Sequence, residues 1–129
     1  MKVLLDTHIV LRWLNGDVLP KRIVTQVEKA EALVVSMVTP WELMIKSSRH
    51  PTQRLITSGQ LKSGLEQMGA RLLHIQPEHI ERLAALPEHH SDPFDRMIIA
   101  QAIEEKFLCI SSDERFPLYK SSGLSLLWK

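Results

Sequence analysis

The sequence predicts an α/β fold, a three-layer α/β/α sandwich built around a mostly parallel, five-stranded sheet. Two observations predict it. Five short runs of branched apolar residues are bounded by polar or turn-forming residues, as buried strands are, and amphipathic helical patterns separate these runs along the chain. Because the strands alternate with helices, the connections are crossovers, so the strands run parallel and helices cover both faces of the sheet.

The apolar runs give the predicted strands, all expected to be buried: 2–5, 32–36, 71–74, 108–111 and 124–128. The predicted helices are 9–14, 20–30, 40–48, 58–68, 77–85 and 93–107. A proline follows Thr39, Gln76 and Asp92, and proline is favoured in the first turn of a helix. These signals support the starts of three of the helices.

Length and composition indicate an ordinary globular protein. The 129 residues fit one compact domain, 1–129, with 44% hydrophobic and 24% charged residues. The apolar start MKVLLDTHIVLRWL is interrupted by charged residues well before it could span a membrane, so we expect neither a signal peptide nor a membrane span. The lone Cys109 sits among apolar residues and predicts a buried thiol in a reducing, cytoplasmic location.

The charge pattern limits how a nucleic acid could be bound. The formal net charge is only +1, which excludes a globally basic surface. One segment, 43–65, has no acidic residue and contains Lys46, Arg49, Arg54 and Lys62. These four are the candidate contacts for an anionic partner such as RNA. Taken alone, the segment is better explained as a solvated loop and helix face.

Five acidic residues lie where such a fold would build a site. Asp6 follows the first predicted strand and Asp113 the fourth, while Asp92, Asp95 and Glu42 occupy first turns of helices. Each has a simpler interpretation as a helix cap, a first-turn residue or a turn former, and Asp92 with Pro93 is a good helix start. Those interpretations do not explain why the carboxylates gather at one end of the sheet, where open α/β sheets bind ligands.

Carboxylates held close together repel one another, and a cation would neutralise them. Hard oxygen ligands without cysteine favour Mg²⁺ or Mn²⁺ over zinc. His89 and His90 are adjacent rather than spaced like zinc ligands, so we interpret them as a polar loop before the helix cap.

Four segments carry a family resemblance: LLDTHIVLRWL, SMVTPWELMIKSS, HHSDPFDRMIIAQA and CISSDERFPLY, spanning residues 4 to 119. In order and spacing they resemble the PIN-domain ribonucleases, specifically the bacterial VapC-type toxins of toxin–antitoxin pairs. The resemblance implies catalytic roles for Asp6, Glu42, Asp95 and Asp113, with a metal bound by Asp6, Asp95 and Asp113. It also implies supporting roles for Thr7, Asp92, Arg96 and Ser111, the last standing where relatives usually have threonine.

By the same resemblance, the protein is expected to be an Mg²⁺- or Mn²⁺-dependent endoribonuclease, a homodimer, and the partner of a small antitoxin. Ile9, Val10, Trp13 and Leu14 recur at helical spacing and would either contact such a partner or face the core. Three alternatives remain open. One is an inactive PIN-like module for RNA or protein interaction; the others are an aspartate-based phosphatase, which commonly needs a second aspartate where this chain has His8, and a receiver-type domain.

Overall fold

A computed structural model describes residues 1–49 and 57–128. The strands are β1 (Lys2–Leu5), β2 (Ala32–Ser36), β3 (Ala70–Leu73), β4 (Leu108–Ser111) and β5 (Ser125–Trp128). They form one sheet in the order β3-β2-β1-β4-β5, and every neighbouring pair is parallel. The predicted α/β/α fold with a parallel five-stranded sheet is confirmed.

Helices connect the strands. They are α1 (Thr7–Leu14), α2 (Lys21–Lys29), α3 (Val38–Arg49), α4 (Ser58–Gln67), α5 (Pro77–Ala85) and α6 (Pro93–Glu105), followed by a 3₁₀ helix (Phe116–Ser122). The predicted boundaries agree with these bounds to within a few residues, but the 3₁₀ helix was not predicted.

The two-residue period of β1 explains the layering. Val3 and Leu5 point to one face, where they pack with Ile9 and Ile23 of the first two helices. Leu4 points to the other face, where it packs in the cluster that contains α6 and the 3₁₀ helix. Each strand side chain therefore joins one of two apolar layers, and the central strand is buried on both sides.

One expectation about exposure is wrong. The third strand was expected to be buried, but β3 is an edge strand on which Arg71 and Leu72 are exposed. A strand at the sheet edge has a neighbour on only one side, so its side chains meet fewer packing partners. For the apolar residues of α1 both a partner contact and a place in the core were open, and the core is observed for Ile9 and Val10, which are fully buried. Within the described ranges, no helix is both long and apolar enough to cross a membrane.

The topology decides where a site can form. The chain places β2 and β3 on one side of β1 and then returns to place β4 on its other side. This reversal of strand order opens a crevice outside the carboxyl ends of β1 and β4. Asp6 and Asp113 lie in the segments that leave those two strand ends.

Candidate metal centre

Asp6 begins α1 and is held from both sides. Its Oδ1 accepts the backbone N–H of Ile9 at 2.8 Å, and its Oδ2 accepts the hydroxyl of Ser111 at the end of β4. The side chain has no exposed surface. Burial raises the pKa of Asp6, and the hydrogen bonds from Ser111 and Ile9 only partly oppose that rise. Asp6 therefore sits at the floor of the site.

Asp92 and Asp95 have different jobs at the start of α6. Asp92 is the N-cap: its Oδ1 accepts the backbone N–H of Phe94 at 2.8 Å and of Asp95 at 3.3 Å, with Pro93 in the first turn. The predicted helix start is thus confirmed. The Asp95 side chain takes no part in the cap and is buried, with 4% of the residue exposed.

Asp95 is perturbed by burial and by the other acidic residues of the cluster. Its pKa is raised to about 8, first by burial and then by the charges of Asp92, Glu42, Asp6 and Asp113. The charges of four other carboxylates act on Asp95. The fold thus brings together acidic residues that lie more than 100 positions apart in the sequence. Their mutual repulsion is the property that a bound cation would remove.

Glu42 is buried on α3 and pairs with a cation of its own helix. Its Oε2 lies 2.8 Å from Nζ of Lys46, one turn further on. Burial acts to lower the pKa of Lys46, but the hydrogen bond to Glu42 and the charges of Glu42, Asp92 and Asp95 outweigh it and raise that pKa. Within residues 1–49 and 57–128, the buried Oε1 of Glu42 finds no hydrogen-bond partner. A buried, unpaired carboxylate oxygen fits a site built for a ligand.

Asp113 lies at the more open side of the centre. Its backbone N–H donates to Ser111 Oγ at 3.0 Å and its Oδ1 accepts the backbone N–H of Arg115 at 2.7 Å. It borders a polar cavity of about 340 Å³ that His8 and Arg115 also line. A substrate could therefore approach the carboxylates from this side.

His90 lies at the acidic cluster, which its sequence context did not predict. It was interpreted as part of a polar loop, but it is 5% exposed and its Nε2 lies 3.0 Å from Oδ2 of Asp95 and 3.2 Å from Oδ2 of Asp113. His90, Asp95 and Asp113 each offer one ligand atom, and these atoms lie within 4.8 Å of one another. The pair His89–His90 gave no signal by spacing, because only the fold brings the second histidine to the acids.

Arg96 and Tyr119 hold the segment that carries His90. Arg96 Nη2 donates to the carbonyl of Leu83 at 3.1 Å near the end of α5, and Nη1 donates to the carbonyl of Pro87 at 3.0 Å. The buried Tyr119 hydroxyl accepts the backbone N–H of His90 at 2.9 Å and donates to the Pro87 carbonyl at 2.8 Å. Arg96 thus orients the loop before α6, and Tyr119 had no sequence signal.

The remaining predicted residues fall in different places. Thr7 shares a hydrogen bond of 3.0 Å with Thr39, which ties α1 to α3 beneath the site. Of the four basic candidates, Lys46 contacts the acidic cluster and Arg49 lies in the last turn of α3. Lys62 lies on α4 and lines, together with Met44, a cavity of about 600 Å³. Arg54 lies outside the described residues.

An aromatic pair flanks the acidic residues. Trp41 precedes Glu42 and is 56% exposed, and its ring meets Phe94, which precedes Asp95, edge to face with centroids 4.9 Å apart. The pair therefore links the starts of α3 and α6 and presents an indole at the rim of the centre.

Similarity to known proteins agrees with this architecture, a parallel α/β/α fold with carboxylates clustered at the carboxyl ends of its central strands. Residues 3–121 match the family described as "PIN domain", and the chain belongs to this family of nucleases. No curated protein sequence matches the chain.

Solved structures share the fold. The chain is similar to VapBC2 from Rickettsia felis bound to a promoter DNA fragment, with a TM-score of 0.70, 16% identity and 98% of each chain covered. It is similar to DNA-bound VapBC from Salmonella typhimurium, with a TM-score of 0.71, 14% identity and coverage of 98% of this chain and 97% of that one. For VapBC-1 from nontypeable Haemophilus influenzae the TM-score is 0.68, at 18% identity and coverage of 99% and 98%.

Proposed function

We propose that the protein is a metal-dependent endoribonuclease that hydrolyses RNA phosphodiester bonds, with Mg²⁺ or Mn²⁺ as cofactor. The observation that carries the proposal is the buried carboxylate cluster, in which the pKa of Asp95 is raised to about 8. Such a cluster destabilises the fold unless a cation neutralises it, and its carboxylate oxygens are the ligands that Mg²⁺ and Mn²⁺ prefer. The unpaired Oε1 of Glu42 also fits this interpretation.

In this proposal Asp6, Asp95 and Asp113 hold the ion, directly or through water, and Glu42 completes the acidic set. Asp6 and Asp113 already accept backbone or hydroxyl hydrogens, but a carboxylate offers about four lone-pair sites, so room for an ion remains. Asp92 supports Asp95 by fixing the start of α6. Thr7, Arg96 and Ser111 position their neighbours.

A bound divalent ion would lower the pKa of an attacking water and neutralise charge that develops on the scissile phosphate. The chain's own residues would orient that water, and a carboxylate of the cluster that is ionised once the ion is bound would accept its proton. Asp6, Glu42 and Asp95 are buried, which leaves the more open face at Asp113 for the phosphate.

An acidic pocket repels RNA, so binding depends on nearby cations and on stacking. Arg49 and Lys62 are proposed contacts, as are Lys46, beside Glu42, and Arg54, which lies outside the described residues. Trp41 offers an exposed ring on which an unpaired base could stack, since proteins commonly bind single-stranded RNA in this way.

The toxin role follows from the resemblance and from the VapBC structures that share the fold. We propose that residues 1–129 act as a single domain in the cytoplasm, that a small antitoxin inhibits it, and that the chain forms a homodimer. The competing candidate is a PIN module without activity, which would bind RNA or protein but cut neither. The family match favours both of these over the phosphatase and receiver alternatives.

A cleavage assay tests the proposal. Wild type, Asp6→Asn and Asp95→Asn would be incubated with total RNA and with Mg²⁺, Mn²⁺ or EDTA, and new 5′ ends mapped. We expect discrete cuts with wild type and metal, and a loss of at least about 100-fold in both variants. Asp17→Asn is the matched control, because Asp17 is exposed and follows the end of α1 opposite to Asp6. Wild type that stays inactive with either ion would favour the inactive module.

RNA binding needs its own test, made in Ca²⁺ so that cleavage is suppressed. Arg49→Ala and Lys62→Ala should each reduce the slope of log affinity against log salt by about 0.7 if the side chain contacts a phosphate. Trp41→Ala should weaken binding by about 1–3 kcal/mol with little change in that slope. Val18→Ala is the control, since Val18 is 92% exposed but lies in the loop after α1. An unchanged affinity for a variant removes its residue from the proposed surface.

A further inference from the structure

We propose that His90 is a positioning residue of the metal centre: its imidazole N–H donates to both Asp95 and Asp113 and sets their separation, and its nitrogens do not bind the ion. This inference rests on the metal-dependent function proposed above. It concerns a residue that the sequence pattern places in an ordinary loop.

The contacts of Nε2 are the first observation. It lies 3.0 Å from Oδ2 of Asp95 and 3.2 Å from Oδ2 of Asp113, both hydrogen-bond distances. The ring is almost completely buried, with 5% of the residue exposed. One nitrogen therefore faces two carboxylates that come from different elements, the start of α6 and the segment after β4.

The contact of the other ring nitrogen, Nδ1, determines whether Nε2 carries the hydrogen. The backbone N–H of Asp92 donates to Nδ1 of His90 at 3.2 Å. The direction of an amide hydrogen is set by the peptide plane, and an amide nitrogen cannot accept. Nδ1 must therefore present its lone pair, and in the neutral ring the hydrogen is on Nε2.

A ligand role would require the opposite arrangement. For Nε2 to bind an ion through its lone pair, the neutral ring would carry its hydrogen on Nδ1, where it would meet the hydrogen of the Asp92 amide. The backbone N–H of Asp92, the N-cap of α6, would then lose its hydrogen-bond acceptor. The geometry thus selects the donor role for Nε2 and disfavours coordination.

Neighbouring residues restrain both the backbone and the ring of His90, so the donor role of Nε2 does not depend on a freely rotating side chain. Tyr119 accepts the backbone N–H groups of His89 and His90 at 3.0 and 2.9 Å. The ring of Phe116 meets the His90 ring edge to face, with centroids 6.2 Å apart. Backbone and ring are both restrained, so the N–H direction is built into the fold.

In the metal-free protein, the N–H that Asp95 and Asp113 share restrains both side chains. It holds Oδ2 of each acid at the same ring nitrogen and so limits how far the two side chains can separate. Asp113 is also fixed through its Oδ1 by the amide of Arg115 at 2.7 Å. Because an N–H occupies one lone-pair site of each acid, the others stay available to an ion.

The donor and ligand roles predict different ion preferences. An imidazole ligand favours Mn²⁺ over Mg²⁺, so its removal would weaken Mn²⁺ binding more. A residue that only orients the carboxylates supports both ions, and loss of such a partner typically reduces metal affinity by about 10–100-fold. The ratio of the two affinities therefore separates the roles.

The experiment combines two readouts on the full chain. Imidazole ¹⁵N spectra of the metal-free protein should give a protonated-type Nε2 and an unprotonated-type Nδ1 for His90. Calorimetry with Mg²⁺ and with Mn²⁺ should show about 10–100-fold weaker binding of both ions for His90→Ala, with their ratio unchanged. His90→Gln retains an amide donor near the position of Nε2 and should bind within a few-fold of wild type. His89→Ala, which removes the exposed neighbour, should match wild type.

Three results would overturn the inference: a hydrogen on Nδ1, a selective loss of Mn²⁺ affinity in both His90 variants, or unchanged affinity in His90→Ala. Failure of the proposed function looks different, because then wild type itself would bind neither ion and cut no RNA. The ¹⁵N spectrum would still report the tautomer in that case.

Discussion

Asp95→Asn should change the way stability depends on pH. The pKa of Asp95 is 3.8 in its reference state and about 8 in the fold. Between these values the folded state keeps the proton and the unfolded chain releases it. The unfolded state thus binds fewer protons, so the free energy of unfolding falls as pH rises through this window and is highest below it.

The magnitude follows from the width of the window. One pH unit corresponds to about 1.4 kcal/mol per proton, so from about pH 5 to about pH 7, both inside the window, wild type should lose about 3 kcal/mol from this residue. The asparagine side chain of the variant would resemble the protonated acid in shape and charge and would remove that loss. The stability of Asp95→Asn relative to wild type should therefore rise by about 3 kcal/mol over the same interval.

Urea unfolding in metal-free buffer at a series of pH values measures this directly. Asp17→Asn serves as the control because Asp17 is exposed. Added Mg²⁺ at about 100 times its dissociation constant should stabilise wild type by about 2.7 kcal/mol and leave Asp95→Asn unaffected. Parallel curves for wild type and Asp95→Asn between about pH 5 and about pH 7 would refute the argument that Asp95 is protonated in the metal-free fold.

Two further predictions concern stability and use the same urea assay. Arg96→Gln should cost about 2 kcal/mol, because the carbonyls of Leu83 and Pro87 lose a charged donor, whereas Arg82→Gln, which breaks a half-exposed ion pair, should cost less than about 1 kcal/mol. Equal costs would mean that the Arg96 contacts add nothing. Gly64→Ala should cost about 1–3 kcal/mol, since the new methyl would lie 1.9 Å from Leu14 Cδ2, whereas Gly59→Ala meets nothing within 4 Å and should be neutral or slightly stabilising. A neutral Gly64→Ala would show that Leu14 moves aside freely.

The site illustrates a conflict between stability and function. A buried group of carboxylates destabilises the metal-free fold, as the raised pKa values of Asp6 and Asp95 indicate. Lys46 and the N–H of His90 relieve part of this charge from within the chain. The negative charge that Lys46 and His90 do not neutralise remains available to stabilise a bound cation.

The sequence located the acidic residues because their positions depend on local pattern. Asp6 and Asp113 follow short apolar runs that are typical of buried strands, and Asp92 with Pro93 is a helix start that needs no distant partner. The alternation of strands and helices then placed the strand ends at one edge of the sheet. The pKa of Asp95 is raised, mainly by burial and further by the neighbouring carboxylates, which agrees with the repulsion expected of this cluster.

The tertiary structure decided which side chains meet. Ser111 donates to Asp6 across 105 positions of sequence, and His90 reaches Asp113 across 23. Such contacts depend on strand order and on small rotations of loops, for which a single sequence carries no periodic signal. For the same reason β3 was mistaken for a buried strand, because its apolar composition is local whereas its place at the sheet edge is not. Local chemistry thus determined the acids and their elements, and the packing of distant segments determined the partners that set their charge.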